Sequence, residues 1–133
     1  MLNVVICDDS TRDASQLEQY LLSYDKVPVE TKLYTNPQKM LEQLTRDTHC
    51  VFLDIDMPTI SGMDIAEALL NSKIKTLLVF VTGQDALVYK SFKYHPFGFI
   101  RKAFFDDEIT GVVKGLVEEI QKSSDTFLSL IHI

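Results

Sequence analysis

The chain has no tryptophan, only two cysteines, and no apolar run near the ~18–20 residues of a membrane span. Its first residues, Met1-Leu2-Asn3-Val4, lack the charged and apolar regions of a signal peptide. Basic residues are outnumbered, 13 against 19 acidic, for a net charge of -6. A domain of that sign repels a phosphate backbone and is a poor nucleic-acid binder by itself. Cys7 and Cys50 lie inside apolar runs and match neither a metal spacing nor a Cys-x-x-Cys motif. They read as small buried hydrophobes in a reducing, cytoplasmic setting. A glycine-rich phosphate loop, a His/Cys cluster for zinc, an internal repeat and a low-complexity linker are all missing as well. What remains is 133 residues, 46% hydrophobic and 24% charged. That fits a single ordinary globular domain with a core of its own.

Apolar runs alternate with helical spacings along the chain. Val4-Val5-Ile6-Cys7 stops at Asp8-Asp9, and Ser10 with Asp13 three residues later resembles a capping box. Ala14, Leu17, Leu21 and Tyr24 then recur at helical spacing. Val29, Thr31 and Leu33 alternate with Glu30 and Lys32 after Pro28, which predicts an edge strand. Asn36-Pro37 supplies an N-cap and an N1 proline for a short helix. Cys50-Val51-Phe52-Leu53 ends at Asp54, and Leu77-Leu78-Val79-Phe80-Val81 ends at Thr82. Each is followed by a helical stretch. Phe97-Gly98-Phe99-Ile100 is the fifth strand, leading to Arg101-Lys102. Ile109, Val112, Val113, Leu116, Val117 and Ile120 mark the last helix. Four of the five strands are apolar enough to be buried on both faces. The pattern predicts a doubly wound α/β domain: a five-stranded parallel sheet with five helices.

In such sheets, functional groups gather beyond the carboxyl ends of the strands. Those positions hold Asp8, Asp9, Asp54, Thr82 and Lys102. Taken singly, each has a structural explanation as a cap, a turn residue or a surface charge. Together they place three carboxylates, a hydroxyl and an ammonium on one rim. Clustered carboxylates need a counter-charge. Oxygen-only ligands with spare positions suit Mg²⁺. A metal beside a lysine suggests a phosphoryl group as the remaining ligand, with a carboxylate as its nucleophile.

The motifs Ile6-Cys7-Asp8-Asp9, Leu53-Asp54-Ile55-Asp56-Met57-Pro58 with Gly62, Phe80-Val81-Thr82-Gly83 and Phe99-Ile100-Arg101-Lys102 closely resemble the receiver domain of two-component response regulators. They span residues 3 to about 122. The segment Tyr94-His95-Pro96-Phe97-Gly98-Phe99-Ile100-Arg101-Lys102 is similar to receivers of regulators carrying a LytTR-type DNA-binding domain. The resemblance implies a flavodoxin-like sheet of strand order 2-1-3-4-5. It implies that Asp54 accepts phosphate from a sensor histidine kinase. It assigns Mg²⁺ to Asp9 directly, to Asp8 largely through water, to Asp54, and to the backbone carbonyl of Asp56. Thr82 and Lys102 are then expected to bind phosphoryl oxygens. Phe99 would be the aromatic switch, and the face made by the fourth helix, fifth strand and fifth helix would drive homodimerisation. Contact with DNA is expected only through a separate output domain, and no contact with a membrane is expected.

Three departures from the family pattern stand out. Ala103 replaces the usual proline after the lysine, so a cis bond there would cost ~2.5–4 kcal/mol and a trans bond is expected. The lysine's approach to the site is then open to change. Phe99 lacks a tyrosine hydroxyl, and Gly83 stands where alanine is common. Two other readings start from the same residues. A pseudo-receiver would use the fold only for protein contacts. A haloacid-dehalogenase-like phosphatase would use Asp54-Ile55-Asp56, but Pro58 sits where Thr or Val is usual, and 53 residues precede Asp54. A flavodoxin-type flavin protein is disfavoured by Asp8 and Asp9, which would repel a flavin phosphate. Residues 1–122 are expected to be the receiver. Residues 123–133 are expected to be a linker and the first strand of an output domain: as a strand, Leu128, Leu130 and His132 would lie on one face and Phe127, Ser129, Ile131 and Ile133 on the other, and a complete five-stranded sheet offers the segment no internal place. Cys7 and Cys50 should not pair, since their strands place them roughly 10 Å out of step.

Overall fold

The computed structural model describes residues 1–56 and 62–131. Five strands, β1 (Leu2–Cys7), β2 (Val29–Tyr34), β3 (Cys50–Asp54), β4 (Leu77–Thr82) and β5 (Gly98–Arg101), form one sheet of order β2-β1-β3-β4-β5. Every neighbouring pair is parallel. Five helices connect and cover it: α1 (Thr11–Ser23), α2 (Pro37–Gln43), α3 (Gly62–Asn71), α4 (Ala86–Ser91) and α5 (Phe105–Ile131). Short 3₁₀ turns lie at Phe92–Tyr94 and Lys102–Phe104. The expected doubly wound architecture is therefore present. No helix among the described residues is long and apolar enough to cross a membrane.

Alternation along the strands sorts the core into two layers. Val4, Ile6, Phe52 and Val79 pack with Leu17 and Leu21 of α1 and with Ile109, Val113 and Leu116 of α5. Val5, Cys7, Leu53 and Phe80 face the other way, onto Met40 of α2 and Ile65, Ala66 and Leu69 of α3. β3 is buried along its whole length, as its unbroken apolar run predicts. β5 departs from that expectation. Only Ile100 is buried there, because β5 forms the second edge of the sheet and lacks a neighbour on one side.

Local signals set several element ends. The Asn36 side chain accepts bonds from the Gln38 and Lys39 N–H groups, with Pro37 at the first helical position. Ser10 caps α1 by accepting the Asp13 N–H at 3.3 Å. The reciprocal half of a capping box is not made, because the Ser10 N–H donates instead to Asp8 Oδ1 at 2.8 Å. The β1–β3 register pairs Val4 with Cys50 and Cys7 with Leu53, so the two cysteines are three residues out of step and both are free.

The end of the chain differs from expectation. α5 does not stop near Lys122; it continues through Ile131, and residues 127–131 are helical instead of extended. No glycine or proline follows Gly115, so nothing breaks the helix once it has been nucleated. Phe127, Leu128 and Ile131 fit helical spacing as readily as strand alternation. Residues 132 and 133 lie outside the described residues.

Candidate functional site

Four of the five parallel strands lead to the same rim. Asp8 follows β1, Asp54 ends β3, Thr82 ends β4, and Lys102 follows β5. The structure brings together Asp8, Asp54 and Lys102 as the spacing predicts. Lys102 Nζ lies 3.0 Å from Asp8 Oδ2 and 3.2 Å from Asp54 Oδ2. The Lys102–Ala103 bond is trans, as expected, because no cis peptide bond is present among the described residues. Lys102 nevertheless reaches the carboxylates, so the missing proline does not withdraw it.

The two inner carboxylates are almost entirely removed from water; the Asp8 and Asp54 side chains are 5% and 2% exposed. Asp54 Oδ1 also accepts the Asp56 N–H at 2.8 Å. Burial pushes the Asp54 carboxyl up to about 6, and Asp8's charge adds to the rise against the Asp56 and Lys102 bonds. Burial also opposes the charge on Lys102. Its bonds to Asp13 and Asp8 and the charge of Asp54 outweigh that, so its ammonium is held above the ordinary lysine range. Beneath the rim, burial first and the neighbouring acids second push the Cys7 thiol up to about 12, which keeps it unreactive.

Asp9 is exposed at the mouth. Asp8, Asp9 and Asp54 each offer a carboxylate oxygen, and these lie within 4.8 Å of one another. Three hard oxygen donors, two of them buried, with room on the solvent side, form a group that could hold a divalent cation such as Mg²⁺. Asp56 contributes its N–H to Asp54; Met57 and Pro58 lie outside the described residues, and of Gly62 only the backbone, opening α3, is described.

Thr82 is fully buried, and its hydroxyl is occupied locally. It accepts the Gln84 N–H at 2.9 Å and donates to the Gln84 carbonyl at 3.2 Å. Phe99 is half-buried. Its ring lies 6.4 Å from that of Phe80 and 5.2 Å from that of Phe92, which itself meets Tyr89 at 5.9 Å.

Two contributors escaped the sequence reading. Asp13 Oδ2 sits 2.9 Å from Lys102 Nζ, and the bond from that lysine holds its carboxyl below the usual range. Glu108, in the first turn of α5, accepts the Arg101 backbone N–H at 2.8 Å and two guanidinium bonds at 2.9 and 2.7 Å. The Arg101 guanidinium also lies over the Phe104 ring, 4.2 Å from its centre. This clamp fixes the β5–α5 corner from which Lys102 extends. Both acids read as ordinary first-turn residues, and no local spacing signals their partners.

The profile of the response regulator receiver domain matches residues 4–114. The sensory transduction protein LytT of Enterococcus faecalis is 28% identical over 119 residues, covering 90% of this chain and 49% of that protein. The sensory transduction protein LytR of Staphylococcus epidermidis is 28% identical over 135 residues, covering 99% of this chain and 53% of that protein. The chain thus spans about half the length of these relatives. Among solved structures, the response regulator protein TrrA of Thermotoga maritima, in complex with Mg(2+)-BeF, superposes with a TM-score of 0.74. It shares 23% identity, with coverage of 87% of this chain and 99% of that one. With the sheet order, the acidic rim and the lysine in place, the chain belongs to the response regulator receiver domain family and resembles the receivers of LytT and LytR regulators.

Proposed function

We propose that the chain is a phosphoacceptor switch in which Asp54 takes a phosphoryl group from a phosphohistidine on a sensor kinase. The observation that carries this reading is the buried Asp54 carboxylate held 3.2 Å from Lys102 at the carboxyl end of β3. An Asp54 oxygen attacks phosphorus, the N–P bond of the phosphohistidine breaks, and the departing imidazole keeps the bonding pair and takes up a proton. Lys102 is placed to donate to a phosphoryl oxygen as charge builds there. Asp8, Asp9 and Asp54, with the Asp56 carbonyl, would hold Mg²⁺. When bound, the ion supplies positive charge beside the phosphoryl oxygens. Thr82 would exchange its bonds to Gln84 for a bond to a phosphoryl oxygen.

Movement of Thr82 would open space that the Phe99 ring, already against Phe80 and Phe92, could fill. The α4–β5–α5 face would change with it and favour a homodimer. Residues 123–133, which include the last turns of α5, are where we place the passage to an output domain that would contact DNA. The half-length match to the LytT and LytR proteins supports that placement. The setting is cytoplasmic, and the protein turns over no separate substrate beyond loss of its own phosphoryl group.

Incubation with acetyl phosphate should add one phosphate by intact mass, only with Mg²⁺ present, and none to Asp54→Asn. Equal labelling of that variant would refute the assignment. No labelling of the parent protein would favour the pseudo-receiver, and turnover of a small phosphomonoester would favour the phosphatase.

A further inference from the structure

Lys102 has three N–H donors and meets three carboxylates, those of Asp13, Asp8 and Asp54, at 2.9, 3.0 and 3.2 Å. Its shortest contact is to Asp13, which lies outside the acidic cluster of Asp8, Asp9 and Asp54. An acid in the first turn of α1 is explained in part by the helix dipole. The dipole does not require a lysine partner. Nor does the carboxylate take the Ser10 backbone N–H that a capping box would give it, since that group goes to Asp8; the Ser10 side chain is a lesser partner than Lys102.

We propose that Asp13 is a positioning residue that competes with the phosphoryl group for the Lys102 ammonium. The inference rests on Asp54 being the phosphoacceptor. In the resting arrangement Lys102 has no spare donor, so a phosphoryl oxygen gains one only when a carboxylate gives one up. The Asp8 and Asp54 side chains, 5% and 2% exposed, would be left without compensation in a site nearly closed to water. The Asp13 side chain is 28% exposed and is rehydrated when released. Asp13 is therefore the partner that yields at least cost, and its negative charge also opposes the arrival of phosphoryl oxygens. It biases the site toward the unphosphorylated state.

The test uses the whole chain with Mg²⁺ and beryllofluoride, a stable stand-in for the phosphoryl group, with binding followed by NMR shifts. Asp13→Asn keeps the size and an acceptor oxygen but loses the charge. It should bind beryllofluoride roughly threefold more tightly, in keeping with the loss of one partly exposed ion pair. It should also take up phosphate from acetyl phosphate faster. Asp13→Glu restores the charge and should return both values toward the parent's. A purely helix-stabilising role would lower the melting temperature of Asp13→Asn without tightening binding. Unchanged or weaker binding by Asp13→Asn, with a parent protein that binds normally, overturns the competition alone. A parent protein that neither binds beryllofluoride nor accepts phosphate overturns both this inference and the phosphoacceptor reading.

Discussion

The carboxyl ends of the strands hold charges where water is scarce, whereas the amino ends of β1 and β3 are joined by a neutral ring. At the amino end, His49 Nδ1 accepts the Asn3 backbone N–H and the His49 backbone N–H donates to the Asn3 carbonyl, both at 2.9 Å. Leu69, Leu70, Ile74, Leu77 and Ile120 line the groove beside it. At the carboxyl end, Asp8 and Asp54 are buried around Lys102. The same backbone needs partners at both ends, yet carboxylates accept the backbone N–H groups at the carboxyl end and an imidazole nitrogen accepts one at the amino end. The amino end satisfies its backbone with an uncharged acceptor. The carboxyl end carries more charge than folding requires, and buried ion pairs are weak contributors to stability. That excess is what the proposed phosphoacceptor role draws on.

Removing the shared cation should break the contrast most severely. Lys102→Met leaves two buried carboxylates without compensation, and a loss of about 3 kcal/mol at pH 7 is expected, within the range for breaking buried pairs. Denaturant unfolding measures it. The loss should already be shrinking as pH falls through about 6, where Asp54 takes up its proton, because Lys102 is one of the groups that lower that value. A pH-independent loss would mean that packing of the lysine stem, and not its charge, holds the rim.

Neutralising the acceptor should have the opposite sign. Burial raises the Asp54 carboxyl from 3.8 to about 6, so the folded state binds the extra proton within that window. Its contribution is fully present below pH 3.8 and is lost as pH rises through about 6. Metal-free Asp54→Asn should therefore be more stable than the parent at pH 7, by roughly 1–3 kcal/mol. The difference should fade toward pH 4. A destabilised variant at pH 7 would place Asp54 among the groups that support the fold.

The amino end should show the smallest effect. Burial, followed by the charge of the chain's amino terminus, lowers the His49 pKa, and Asp47 offsets part of this. The ring accepts the Asn3 N–H only while Nδ1 is unprotonated. Its stabilisation is fully present above the ordinary histidine value of about 6.5 and is lost as pH falls through the lower folded value. NMR titration of the ring and the stability profile of His49→Ala test this. An identical acid profile in the variant would remove His49 from the account.

Residues that act through their own strand were readable in advance. Asp8, Asp54 and Lys102 each stand where an apolar run stops, and parallel pairing brings those stops together. Asp13 was not readable as a lysine partner. Its spacing from Ser10 already had a local explanation, and only the reach of Lys102 to the first turn of α1 reveals the second one. Glu108 was hidden in the same way by the first turn of α5. Thr82 was placed correctly, but its bonds to Gln84 depend on turn geometry that periodicity does not encode. Residues 127–131 misled because so short a stretch fits periods of two and of 3.6 alike.

Reductive trapping of the acetyl phosphate product with borohydride, followed by peptide mass spectrometry, tests the central claim most directly. An acyl phosphate at Asp54 is converted to homoserine, so the account predicts homoserine at position 54 and nowhere else. Homoserine at position 8, 9 or 13, with Asp54 intact, would contradict it.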